Sequence, residues 1–449
     1  MLNHLARKLS VLDYFSLGWG TMVGVGWLVV MDDWLLRGGT LGGILGFAIG
    51  GVLLLPIGFV YGRWVMTMPD AAGEVAYTAK VFPRSVSFYT GWMMMLAYFI
   101  VCPWEAVAVG RLAGFIFPAL NRIELYRVSG KPVFLPHLLI GLGLTALVTV
   151  VNYRGIRLSA TFQNWTTFGT LALFVVFVGL GVARGSPANF PPLFTHTPLV
   201  SILLVLQIVP YFMTGFESVT KAAEEANPGF RLQGFSPVIF SAIIVGFVFY
   251  IVVIAAVGFV APWCQFTDAP FMTAVAFEHA TGSRWIVSII MSAALLSLFK
   301  VFNGNFVAAS RILFAMARRG LLKQQLAAIH SENHTPSAAI GTTGVATALC
   351  MFLGTAILVP ISEVGAVASA TGWFAVCAAF LFTKPRSRDF AIALIGACVG
   401  LAMVLMKFLP FVPGHFSIWE WLTLGVWILV GTVAGHPNKA PKAQIGSSQ

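Results

Sequence analysis

Apolar runs long enough to cross a bilayer recur along all 449 residues, with short polar breaks between them. A membrane helix needs about 20 apolar residues. Twelve stretches meet that need: 14–31, 41–62, 86–117, 135–151, 163–183, 199–217, 236–260, 285–310, 338–358, 361–383, 390–408 and 418–435. The pattern predicts an all-α polytopic membrane protein with twelve spans. The first run is interrupted, with Gly20, Gly24 and Gly26 inside GTMVGVGW. Hydrocarbon holds no water to satisfy an opened backbone, so irregular backbone persists there only where it lines a cavity inside the protein. The polar-rich start MLNHLARKLSVLD and the lack of a small-residue cleavage site predict a retained helix, not a cleaved signal.

The runs divide into two sets of five. Residues 14–183 form the first unit and 199–383 the second, with two further spans over 390–435. Residues 1–13 and 436–449 are polar ends, and the second is expected to be disordered. Five is odd, so consecutive five-span units must cross the membrane in opposite senses. Each unit opens on an interrupted span. The second carries Val209-Pro210-Tyr211-Phe212-Met213-Thr214-Gly215-Phe216-Glu217. Matched Gly/Pro interruptions in two halves are the sequence signature of a midplane solute site.

Charge sharpens the orientation. Only 10% of residues are charged, against about 25% in soluble domains. With the N-terminus inside, eighteen of the 27 Lys and Arg residues fall in inner segments, eight in outer ones, and Lys300 lies within a span. This bias places both termini in the cytoplasm and the chain in the inner membrane. The net charge of +11 therefore marks topology, with anionic lipid as its partner and no nucleic acid implied. The five cysteines and eight histidines show neither metal nor disulfide spacing. No GxxxxGK(S/T) loop offers ATP drive, and no cofactor motif is present.

Several short motifs follow in order. Gly24-Val25-Gly26 centres the first break. Gly215-Phe216-Glu217 precedes Ala223-Glu224-Glu225-Ala226-Asn227-Pro228. Asn303-Gly304-Asn305 leads to Ala309-Ser310-Arg311 and Ala315-Met316-Ala317-Arg318-Arg319-Gly320, and Thr335-Pro336 opens the next span. In that order and spacing the chain resembles the amino acid–polyamine–organocation (APC) transporters over nearly its whole length. The resemblance implies a LeuT-type 5+5 inverted repeat, broken helices one and six, and alternating access.

A half-helix break selects its ligand by its dipole. The N–H groups after the first break suit a carboxylate, and the carbonyls before the second suit an ammonium. In family terms the carboxylate contacts fall on Val23, Gly24, Val25 and Gly26, and the amine contacts near Tyr211, Phe212 and Thr214. Tyr211 matches an aromatic lid; a core aromatic is the equal alternative. Glu105, in Cys102-Pro103-Trp104-Glu105, is a carboxylate within a span, where it normally faces a cavity or a partner. It reads as an ammonium anchor or a proton acceptor. A pair with Arg111 is the alternative, but six residues is not a same-face helical spacing. Glu217 reads as a gating or structural group, and Glu224 and Glu225 as solvated or gate-pairing charges. Asn303 and Asn305 face either the site or a neighbouring helix. Asp32, Asp33 and Arg37 read as a solvated loop cluster in preference to an ionic gate.

Lys300 lies sixteen residues from Arg284 and eleven from Arg311. That is about 24 Å and about 16 Å along a helix, too far for easy snorkelling. Sodium-coupled relatives of the implied fold hold a cation at this turn of helix eight. Here the Lys300 ammonium is expected to replace that cation and tie span eight to the first break. A desolvated lysine also titrates more readily, so coupling to protons is open. Some proton-coupled relatives carry the lysine on span five, where this chain has Thr170. A purely structural pair with Glu105 or Glu217 is the alternative. No buried His/Asp/Glu set suits an enzyme, and no polar stripe suits a channel. The sequence thus reads as a secondary active transporter of amino acids, symporter or exchanger, that does not depend on sodium. An amine or polyamine carrier using Glu105 is the alternative. The sequence leaves oligomeric state open.

Overall fold

The computed structural model describes residues 7–24, 26–269 and 271–435, with backbone alone at Ile156 and residues 356–359. The helices are α1 (Val11–Met22), α2 (Gly26–Val29), α3 (Met31–Thr67), α4 (Glu74–Ala79), α5 (Arg84–Phe99) and α6 (Val101–Ile116). A hairpin of β1 (Glu124–Val128) and β2 (Lys131–Phe134) leads to α7 (Leu135–Arg154) and α8 (Ile156–Arg184). Then come α9 (Pro198–Leu206), α10 (Val209–Met213), α11 (Ser218–Lys221), α12 (Phe235–Val260), α13 (Met272–Thr281) and α14 (Arg284–Arg318). The chain closes with α15 (Ser337–Cys350), α16 (Leu358–Phe382), α17 (Ser387–Phe408) and α18 (Ile418–Ala434).

Nine described helices are long and apolar enough to cross a membrane, with α5 and α6 taken as one. The protein is therefore a multi-pass membrane protein. Three expected spans differ, each for a stated reason. The first is divided between α1 and α2, and the sixth among α9, α10 and α11, where glycine and proline interrupt the ladder. The twelfth, α18, is 17 residues long.

Local chemistry sets the other boundaries. Helix α1 starts at Val11 and not at 14, because Ser10 and Asp13 form a reciprocal capping box. The third expected span bends at Ile100, since Pro103 has no N–H to give the Phe99 carbonyl. The expected loop over 152–162 is a single residue: Gly155 at φ 143° turns α7 straight into α8. Helix α3 begins at Met31, so Asp32, Asp33 and Arg37 lie on a helix. The hairpin is the only strand structure among the described residues.

The apolar window of α5–α6 is buried throughout, whereas those of α8 and α17 are mostly surface. Helix α14 runs through the middle, touching α1, α5, α6 and α8. Its Gly304 lets it close on α1, because a Cβ there would lie 3.0 Å from that of Thr21. One end of the bundle holds the described chain ends and the α3–α4 and α14–α15 connections. The other, far end holds the starts of α3 and α16 and the end of α17.

Candidate functional site: two helix breaks around a buried cavity

At the first break, Val23 leaves α1 in an extended conformation, with φ −90° and ψ 97°. The last carbonyls of α1 then have no partner within their own helix. Each is taken by a side chain from another helix. Asn305 Nδ2 donates to Thr21 O at 3.1 Å, and Tyr250 Oη donates to Met22 O at 3.0 Å. Lys300 Nζ donates to Val23 O at 2.5 Å, with Ser297 Oγ at 3.4 Å on the same oxygen. Lys300 is fully buried, and its ammonium sits 4.0 Å from the centre of the Trp19 ring. The first break is thus held by the Lys300 amine and three further side-chain donors.

The second break lies directly against the first. Gly215 has φ 139°, and a Cβ there would fall 2.6 Å from the Met22 nitrogen. Only glycine allows that approach. Tyr250 also donates to Phe212 O at 3.3 Å, so one hydroxyl bridges both breaks. The Thr214 hydroxyl donates to Pro210 O at 2.6 Å and bonds Ser369 on α16.

Between the breaks lies a small cavity of about 20 Å³, room for about one water molecule. Its walls include Gly24, Gly26, Glu105, Tyr211, Phe212, Thr214 and Asn305. Seven of the residues singled out from sequence therefore meet at one place. Val25 lies outside the described residues. Val23 and Lys300 stand beneath the cavity and are joined to each other. The apolar walls are Met22, Val101, Trp104 and Val301. Three buried polar atoms on the cavity residues have no protein partner: Glu105 Oε2, Tyr211 Oη and Asn305 Oδ1. Two of these are acceptors only, and the third can donate or accept. A buried carboxylate oxygen without a partner is costly, so the cavity is built for a hydrogen-bond donor.

Glu105 does not pair with Arg111, whose guanidinium lies over the Phe271 ring at 5.2 Å. It makes no ion pair with Lys300 either, though the two charges act on each other. Asn303 turns away from the cavity to Asn152, Ser159 and Gln163, the helix-contact alternative for that residue. Glu217 lies outside it too, accepting from the Gly215 N–H at 3.1 Å.

Charged networks flank the cavity at both ends. Toward the far end, Tyr211 packs on Gly365 of α16, where a Cβ would lie 2.6 Å from its ring. Two residues earlier, Glu363 bonds Arg37 at 2.9 Å and also Lys407. Arg37 in turn bonds Asp33 at 2.8 Å. This corrects the solvated-loop reading of Asp33 and Arg37: helix α3 carries them against α16. At the opposite end, Lys221 pairs with Glu74, and Arg311 with Glu225 at 3.0 Å, all four fully buried. Nearer the surface, Arg318 bonds Glu224 and Arg319 bonds Asp70. Glu225 is therefore a buried pair and not a solvated charge.

The amino acid permease family model matches residues 9–433. The chain belongs to the amino acid permease family, within the APC superfamily. Among its relatives, a methylthioribose transporter of Bacillus subtilis is 27% identical, over 96% of this chain and 92% of the relative. The branched-chain amino acid permease BcaP of the same organism is 24% identical over the same shares. A vacuolar cationic amino acid transporter of Arabidopsis thaliana is 27% identical over 85% of this chain and 64% of its own. These relatives are permeases, not enzymes. Within the permease fold, sequence reasoning missed Tyr250, Ser297 and Ser369. Only Tyr250 left a signal, as a lone hydroxyl in the apolar run FVFYIVVIAAV.

Proposed function

We propose that this permease is a secondary transporter that moves small α-amino acids across the cytoplasmic membrane by alternating access. The reading takes twelve spans, a LeuT-type inverted repeat over 14–183 and 199–383, and both termini in the cytoplasm. The observation that carries it is the cavity between two abutting helix breaks, with Glu105 Oε2 unpartnered in its wall. The substrate ammonium meets Glu105 and Asn305, and the carboxylate meets the N–H groups that open α2. Tyr211 covers the bound molecule, and Glu217 supports the second break behind it. The apolar walls favour a small apolar side chain, and the cavity, closed to about 20 Å³, has to widen to admit it. Glu105 and Lys300 carry opposite charges, so a zwitterion leaves the region neutral. The branched-chain permease among the relatives supports the same class.

Transport does not depend on sodium, because the Lys300 ammonium already occupies the carbonyl end of the first break. Whether protons are co-transported or substrates exchanged is a question for the same assay. A second reading, an amine carrier, is favoured by the carboxylate of Glu105 alone.

The test is uptake of labelled amino acids and amines into liposomes carrying the purified protein, with and without sodium and a pH gradient. Saturable uptake of small apolar amino acids, with counter-exchange and no sodium effect, is expected. Uptake of amines lacking a carboxylate in their place would overturn the amino acid reading. A sodium requirement would overturn the role given to Lys300.

A further inference from the structure

Away from the central cavity, a second recess opens at the end that the charge bias assigns to the cytoplasm. It offers about 660 Å³ and is lined by Lys8, Arg154, Arg157, Thr161, Asn333 and His334. The three cations come from separate segments: the residues before α1, the end of α7 and the start of α8. Gly155, at φ 143°, makes the one-residue turn that brings Arg154 and Arg157 to the same recess. None of the three is in an ion pair among the described residues. Glu332 is the one carboxylate that lines it. In the adjoining hollow Asp13 is already committed, its oxygens bonded by Ser10 and Asn164. Positive charge therefore exceeds negative in a cleft with uncharged donors at its wall.

The recess continues onto an apolar face. Leu158, Thr161, Trp165 and Phe168 recur at helical spacing along α8, all exposed, Trp165 at 78%. This is the lipid-facing side of a membrane helix, with an aromatic residue about two to three turns from the cations. A phosphate at Arg154, Arg157 and Lys8 would have its acyl chains lying along that stripe. A soluble phosphate would use the cations but leave the stripe unexplained.

We propose that this recess binds the headgroup of an anionic phospholipid. The site joins three elements. The loop after α14 is pinned to α7 by the Thr335 hydroxyl, which donates to Tyr153 O at 2.9 Å. The segment carrying Lys8 is pinned to the inner closure, since the Lys8 and Leu9 N–H groups donate to Glu225 O at 2.8 and 2.9 Å. Glu225 is the partner of Arg311. A headgroup bridging Lys8 to Arg154 and Arg157 thus ties α7–α8 to the strap over the inner ion pair, and steadies that end shut. The effect on transport rests on the carrier reading above; lipid binding itself does not.

The full-length protein in a neutral detergent would be titrated with short-chain phosphatidylglycerol and phosphatidylcholine, and bound lipid counted by native mass spectrometry. Phosphatidylglycerol should bind selectively. The pair R154Q and R157Q together should weaken it about thirtyfold, taking roughly 1 kcal/mol per basic residue. The pair R154K and R157K should keep most of the affinity, which separates loss of charge from misfolding. Equal binding of the two lipids by the wild type would overturn the proposal. So would unchanged selectivity in the glutamine variant. Displacement of the lipid by millimolar inorganic phosphate would reassign the recess to a soluble anion.

Discussion

The two ends of the permease are closed by ion pairs of different depth. At the far end one chain of four charges, Asp33–Arg37–Glu363–Lys407, links α3, α16 and α17. Asp33 is a third exposed there. At the opposite end, which the charge bias assigns to the cytoplasm, the closure has two layers. The inner layer, Lys221–Glu74 and Arg311–Glu225, is fully dry. The outer layer, Arg318–Glu224 and Arg319–Asp70, is partly wet. Exposed pairs contribute about 0–1 kcal/mol, while removing one partner of a buried pair costs about 3–5 kcal/mol. Lys407 and Glu363 are buried in the far-end chain too, so on the alternating-access reading the two ends differ by the number of dry pairs, two against one, and the end with two sets the larger barrier.

The strongest way to break this comparison is to remove one member of the dry layer. Arg311→Met leaves Glu225 buried without its cation. It is expected to lower the thermal midpoint most of all these variants and to raise labelling of cysteines placed at the cytoplasmic mouth. A midpoint equal to that of Arg318→Gln would erase the claimed difference in depth. Next comes Lys300→Met, which strips Val23 O of its cation and leaves only Ser297 at 3.4 Å. An unsatisfied buried carbonyl costs about 1–3 kcal/mol. Uptake should fall about tenfold or more, by the same range. Full uptake with an unchanged pH dependence would show that Lys300 plays no part.

Glu363→Gln should act less severely than Arg311→Met. It removes the carboxylate of Lys407 and one of the two held by Arg37 but keeps the bulk of the side chain, so the far end should label more readily while the protein stays folded. Reduced labelling at that end would contradict the role assigned to Glu363. The smallest effect is expected from Arg318→Gln, within about 1 kcal/mol, because water replaces the lost partner. Raising ionic strength should mimic that variant and leave Arg311→Met unchanged.

Much of the central site was legible in sequence because it is written locally. Glycines inside an apolar run, a proline in the matching run, and ionisable residues within spans each carry their own physical cost. Gly24, Gly26, Glu105, Lys300, Pro210 and Gly215 announce themselves in this way. The closures were not legible, because their partners are far apart along the chain. Arg37 and Glu363 lie more than three hundred residues from each other, and nothing near Arg37 names its partner. Charges at a span edge then read as solvated, which misplaced Asp33 and Arg37 and left Glu225 open between a solvated and a paired charge. Tyr250 was missed for another reason: a lone hydroxyl in an apolar run is a faint signal, and its role depends on where two breaks meet. The recess at Arg154 and Arg157 depended on a loop that proved to be one glycine.

The central claim is that the cavity between the breaks holds an amino acid by its ammonium on Glu105. Equilibrium binding of a labelled small apolar amino acid to purified wild type and Glu105→Gln tests it most directly. A hydrogen bond to a charged group contributes about 1.5–3 kcal/mol, so affinity should fall about tenfold to a hundredfold. Equal affinity in the two proteins would contradict the account.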